Sequence, residues 1–289
     1  MKLNTEKVFI PPTKSKKKDK KNADYLLSAF SIIAALLFII PIIWMFFVSI
    51  KPEGIGVEIV IHWFTPPYTM ENYMNIIFDT PVLRWLWNSF IIAVISTALT
   101  LLVTSLAAFA ISKMNFRYKT FIYVFFLAGL MVPGEATIIP LYQIIKDMGL
   151  LDTYTGLIIP GIASPLGVII LKSFFDGVPK ELIESAKIDG CSQIRIYFNI
   201  VLPLAKPALA AIGIFTFIGS WNNFLWPFLA IMSEDLFTLP VGIPTFNSIY
   251  SIDYVLPMTV NAVASLPVII AFLIFEKQIV KGISFTGIK

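Results

Sequence analysis

The sequence predicts an all-α polytopic membrane protein with six transmembrane helices, on three observations. Of 289 residues, 57% are hydrophobic and 14% charged, with a mean hydropathy of +0.82, so the chain has too little polar surface to cover itself in water. The apolar residues gather into roughly six stretches near the ~20 residues that cross a hydrocarbon core. The 22 Lys and Arg are divided unevenly among the loops between them: 19 fall on segments expected inside the cell, and only Lys51, Arg84 and Lys146 on segments expected outside. This split orients the chain with both termini cytoplasmic. It also explains the pI near 9.0, which points to anionic lipid headgroups and not to nucleic acid.

Met1 to Asp24 is lysine-rich and is expected to be a disordered cytoplasmic tail (1–24) ahead of one membrane domain (25–289). Tyr25 to Ile50 is too long for the apolar core of a cleaved leader and lacks a small-residue cleavage site, so it is expected to remain as the first span. The segment from Lys51 to Arg84, with TPPYTMENY at Thr65 to Tyr73, is expected to be an external loop. The second span covers about Trp85 to Ile111, and the basic hinge Ser112 to Thr120 follows on the inner side. Phe121 to Tyr142, broken at Pro133-Gly134 and at Pro140, is a kinked third span whose freed backbone groups must meet protein or water. Gln143 to Thr155 is external. Gly156 to Phe175 is an irregular fourth span containing Pro160, Gly161 and Pro165, and the polar stretch Pro179 to Pro207 is internal. Ala208 to Ile231 is the fifth span, Ser233 to Leu256 an external loop and Pro257 to Phe275 the sixth span before a short basic tail.

No residue constellation points to an enzyme. One histidine, His62, and one cysteine, Cys191, make neither a zinc site nor a disulfide framework. The tail GISFTGIK has Ile288 where a phosphate-binding loop needs lysine; if ATP drives transport, another subunit must hydrolyse it. Carboxylates inside the spans are scarce, which argues against a proton- or sodium-coupled carrier. Glu135 is the candidate: it either lines a cavity at the Pro133-Gly134 break or sits near the outer interface. The cluster Trp221, Asn222, Asn223, Phe224 and Trp226 in the fifth span is the candidate substrate path, since amides and aromatic faces together suit a sugar. The other reading gives the asparagines to neighbouring helices and the tryptophans to an interfacial belt.

Pro179 to Pro207 is polar and helical between lipid-like neighbours, as two short helices joined at a glycine elbow. Pro179 suits a first helical position, Gly190 a left-handed C-cap and Ser192 an N-cap. Ile194, Tyr197, Phe198 and Val201 are spaced to form one apolar face, and Pro203 is expected to end the second helix.

Glu184, Ser185 and Ala186, then Asp189 and Gly190, then Ile200, Leu202 and Pro203, resemble the EAA signature of membrane-spanning subunits of bacterial ABC importers. With Phe198 and Pro207 the pattern is similar to the MalG-like carbohydrate permeases, Ser185 standing where alanine is usual. The resemblance extends from about Pro41 to the end, through PIIWMFFVSIKP, ENYMNIIFDTP, NSF at Asn88, MVPGEATIIPLYQIIKDMGLLDT, the Trp221-Asn222 pair with its following proline, and FEKQIVKGISFTG. It implies a type I importer membrane domain in a bacterial or archaeal cell membrane, with the hairpin 179–207 coupling to an ATPase. The implied partners are a second, MalF-like permease, a cytoplasmic ATPase dimer that holds ATP and Mg, and an extracytoplasmic solute-binding protein. The chain itself would hold no cofactor, and sugar would cross by alternating access. A permease for another small solute, or a secondary transporter, is the alternative.

Overall fold

The computed structural model describes the backbone of residues 15–54, 59–246 and 254–285, which is helical without strands. Three helices are long and apolar enough to cross a membrane singly, within α1 (Ser15–Ser49), α3 (Val82–Lys113) and α12 (Val255–Phe285). The stretch between α1 and α3, expected to be loop, contains a further helix, α2 (Glu71–Asp79). The other apolar stretches are bent pairs. The chain turns by 98° between α4 (Lys119–Gly129) and the segment Gly134–Asp147, which ends in α5 (Ile138–Asp147). It turns by 47° between Tyr154–Gly161, which holds α6 (Tyr154–Ile158), and α7 (Pro165–Asp176). After α8 (Lys180–Ile188), it turns by 79° between α9 (Gln193–Leu204) and α10 (Lys206–Trp221). A short helix, α11 (Leu225–Ala230), follows.

Several boundaries differ from expectation for physical reasons. Residues 15–24 of the expected disordered tail are the first turns of α1, because lysine is a good helix former and extending a nucleated helix adds a hydrogen bond without a new nucleus. Residues 1–14 lie outside the described residues. The α2 helix forms because it can bury Ile76 and Asn72, whose Nδ2 donates to Ser49 O and Lys51 O. Of the two expected breaks in the third span only Pro133-Gly134 interrupts it. Pro140 sits in the first turn of α5, where a backbone N–H has no intrahelical partner to lose. The fifth span stops at Trp221, ten residues before Ile231, since the amides of Asn222 and Asn223 lie outside helical structure.

α3 is the central helix. It packs along α7 on one side and α10 on the other, while α12 joins α10 to α1. The approach to α7 is close enough that a Cβ on Gly167 would lie 2.8 Å from Thr104 Cγ2. At one end of α3 the core is built from Phe109, Leu171, Phe175, Ile196, Tyr197 and Val201. At the other it is built from Trp85, Val82, Ile76, Trp221, Leu239 and Val260. From Tyr25 to Phe38, by contrast, the large apolar residues of α1 are exposed, as suits contact with lipid or another chain.

Beyond the end of α1, Lys51 is 1% exposed. Its Nζ donates to Thr65 O and stands 4.1 Å from the centroid of the Tyr68 ring, which pins the following loop. A buried ammonium is tolerable only with such partners.

Candidate functional site

The hairpin 179–207 takes its elbow from Gly190, which adopts φ +76°. Cys191 N donates to Ala186 O at 2.9 Å and Gly190 N to Lys187 O at 3.0 Å, the paired bonds that close a helix on a left-handed residue. Ser192 Oγ then accepts from Arg195 N at 3.3 Å and starts α9. Pro179 stands just before the first helical residue and not within it.

The α9 helix departs from the expected face. Residues Tyr197–Val201 form a π-helical turn, whose wider winding brings Ile196, Tyr197 and Val201 inward and leaves Ile194 and Phe198 exposed. Pro203 does not end the helix, which runs on to Leu204 before the turn at Ala205, because a proline near a new helical start loses no needed N–H.

The signature residues therefore divide by depth. Ala186 is buried with Ile183 against the same core as Tyr197, and its small side chain allows that approach. Ile200 and Leu202 pack partly buried against this core. Glu184, Ser185, Asp189, Gly190 and Pro203 are exposed, as are the apolar Leu182, Ile188 and Ile194, Ile188 at 86%. Carboxylates interleaved with exposed aliphatics on a rigid elbow suit a protein partner.

Polar contacts fix the segment that leads into the hairpin. Lys113 Nζ donates to Val178 O at 2.9 Å, Ser112 Oγ to Asp176 at 2.6 Å, and within α7 Lys172 pairs with Asp176 at 2.7 Å. Tyr197 OH and Ser105 Oγ of α3 lie 2.7 Å apart, both buried.

The aromatic and amide cluster also separates. Trp221 and Trp226 are buried, and their indole N–H groups donate to Ala264 O at 3.2 Å and Gly156 O at 3.1 Å. Trp221 and Trp226 were both candidates for the substrate path, and in this structure both indoles are packed in the core. Asn222, Asn223 and Phe224 are exposed where the helix breaks, and Asn223 Oδ1 accepts from Trp226 N at 3.4 Å. Phe224 stacks on Phe228 with centroids 5.1 Å apart and borders a cleft of about 300 Å³ lined also by Ile231, Phe237, Val241 and Thr245. Glu135 is exposed on the bend between α4 and α5, on a different element from the asparagines.

A polar latch at the start of α3 was not foreseen. Asn88 Nδ2 donates to Asp235 O and Phe237 O, both at 2.9 Å, while its Oδ1 accepts from Tyr154 OH at 2.6 Å. Trp85 Nε1 donates to Glu234 O at 3.2 Å, and Ser89 Oγ accepts from Leu239 N at 2.8 Å. Asp152, in a left-handed conformation at φ 57°, accepts from Met232 N and Ser233 N. The signal in the sequence was Asn88 itself, a strong polar group opening an apolar span; its loop partners are some 150 residues distant.

Residues 100–285 match the family model described as the binding-protein-dependent transport system inner membrane component. The chain is 34% identical over 266 residues to the arabinooligosaccharides transport system permease protein AraQ of Bacillus subtilis, covering 91% of this chain and 95% of that one. It is 34% identical over 272 residues to the trehalose/maltose transport system permease protein MalG of Thermococcus litoralis, covering 91% and 96%. Its fold is similar to a bacterial ABC transporter involved in the import of the acidic polysaccharide alginate, with a TM-score of 0.77, 21% identity and coverage of 93% and 99%. The chain is a multi-pass membrane permease that belongs to the family of binding-protein-dependent transport system inner membrane components.

Proposed function

We propose that the chain is the permease subunit of an ATP-driven importer of a sugar or oligosaccharide, working by alternating access between the two faces of the membrane. The observation that carries this is the nearly full-length similarity to relatives named for arabinooligosaccharide and trehalose/maltose transport. The exposed Asn222, Asn223 and Phe224 support it, because amides bond hydroxyls and an aromatic face stacks on a sugar ring. The chain pairs with a second, related permease. A cytoplasmic ATPase dimer holding ATP and Mg docks on Glu184, Ser185, Asp189 and Gly190, with the exposed Ile188 and Ile194 as apolar anchors. A solute-binding protein delivers sugar on the opposite side, near the latch around Asn88. The lysine and arginine asymmetry supports a cytoplasmic position for the hairpin and both termini.

Gentle purification of the complex from the native membrane, followed by identification of the co-purifying chains and of the ligand on the binding protein, tests this. Recovery with an ATPase, a second permease and a saccharide-loaded binding protein is the expected result. Recovery with an amino-acid-loaded binding protein, or of the chain alone with ion-coupled uptake, would replace it.

A further inference from the structure

Tyr197 carries a hydroxyl that its packing does not need. Its ring stands 5.3 Å from that of Phe109 and 4.7 Å from that of Phe198, contacts a phenylalanine would make as well. A phenol that is 2% exposed must nonetheless find a partner, and Ser105, also 2% exposed, provides it at 2.7 Å. Ser105 Oγ also stands 2.6 Å from Leu101 O and 3.1 Å from Leu102 O, carbonyls that can only accept, so giving its single proton to one of them makes Tyr197 the donor to Ser105 Oγ. The π-helical turn beginning at Tyr197 is what turns this side chain into the core. Such turns are less stable than the α-helix around them, and they recur where geometry serves a function.

The acceptor lies on α3, which runs unbroken from beside the hairpin to the latch. Between Ser105 and Asn88, α3 is a rod of roughly 25 Å, at 1.5 Å per residue. At its far end it grips the loops through Trp85, Asn88 and Ser89. Of the other stretches that lead away from the hairpin, α7 reaches only to the 47° bend before Pro165 and α10 only to Trp221.

We propose that the Tyr197–Ser105 hydrogen bond is the joint through which movement of the hairpin reaches the membrane core, which makes Tyr197 a positioning residue for transport. This joint presupposes the docking role of the hairpin proposed above. Movement of the hairpin is passed along α3 to the latch, and without the bond the hairpin moves but the latch lags.

The test uses the whole complex purified with its ATPase subunits, in a Cys191→Ser background with an environment-sensitive fluorophore on Met232→Cys, an exposed position beside the latch. ATP with orthovanadate is the probe. The parent complex is expected to shift its emission on trapping. Tyr197→Phe and Ser105→Ala are each expected to reduce that shift several-fold, and together no further than either alone. Trapped nucleotide and ATPase retention stay at the parent level, and Ser105→Thr, which keeps a hydroxyl, preserves the shift. An undiminished shift in Tyr197→Phe overturns the joint, and so does loss of ATPase subunits or trapped nucleotide in that variant, since the bond would then serve folding only. A parent complex that neither retains an ATPase nor responds to ATP would instead overturn the importer reading on which the joint depends.

Discussion

Gly242 faces Trp85 so closely that a Cβ there would stand 2.1 Å from the indole ring. Gly242→Ala must displace a side chain that anchors both a core and a latch. It is expected to cost about 1–3 kcal/mol, read as earlier thermal unfolding of the detergent-solubilised protein. Trp226→Phe, which removes the donor to Gly156 O, is expected to cost about 1 kcal/mol by the same measurement while leaving uptake per assembled complex unchanged. Asn222→Ala should do the reverse, lowering sugar uptake with unfolding unaltered, because its exposed amide has solvent to replace it. If Trp226→Phe instead impairs transport in fully assembled complex, the separation of the cluster into packing and path residues is wrong. At this scale the sequence was informative about residue type and poor about direction. Two tryptophans beside two asparagines resemble a sugar platform in one dimension, yet burial of the indoles depends on Ala264 and Gly156, far along the chain. Asn88 entered only through the NSF stretch of the family resemblance, and nothing local indicated its partners.

The hairpin was the most legible element, since caps and elbows are written in adjacent residues. Ser192 and Gly190 do what their types suggest. Of the expected apolar face of the second helix, Tyr197 and Val201 are buried while Ile194 and Phe198 are exposed; spacing arguments assume 3.6 residues per turn, and the π-helical turn at Tyr197 changes that count. At Gly190 an added Cβ meets nothing within 4 Å, so the cost of Gly190→Ala comes from φ +76° alone, about 1 kcal/mol. Gly190→Arg adds bulk on the exposed docking side. It should insert at normal levels yet lose ATPase retention and stimulated ATP hydrolysis. Retention of the ATPase at parent levels in that variant would move the docking surface elsewhere.

Across the whole molecule, composition alone was enough for the class, and the order of helices followed from where the apolar stretches lie. The break at Pro133-Gly134 and the irregularity of the fourth span were legible from their prolines and glycines, but the bend at Ala205 and the size of all three angles were not, because these come from tertiary packing. The orientation is open to a direct check with Cys191, the single thiol of the chain. A membrane-impermeant maleimide should modify it in opened membranes and not in intact cells. Equal modification in both would reverse the assignment of inside and outside. One further consequence comes from the 32 residues of α3, which make a rod of about 48 Å against a hydrocarbon layer of about 30 Å. A rod held by a latch at one end and by Lys113 at the other cannot shorten, so it must lean or protrude, and its lean will follow the acyl-chain length of the surrounding lipid. Uptake by this permease is therefore expected to vary between vesicles of short- and long-chain lipid.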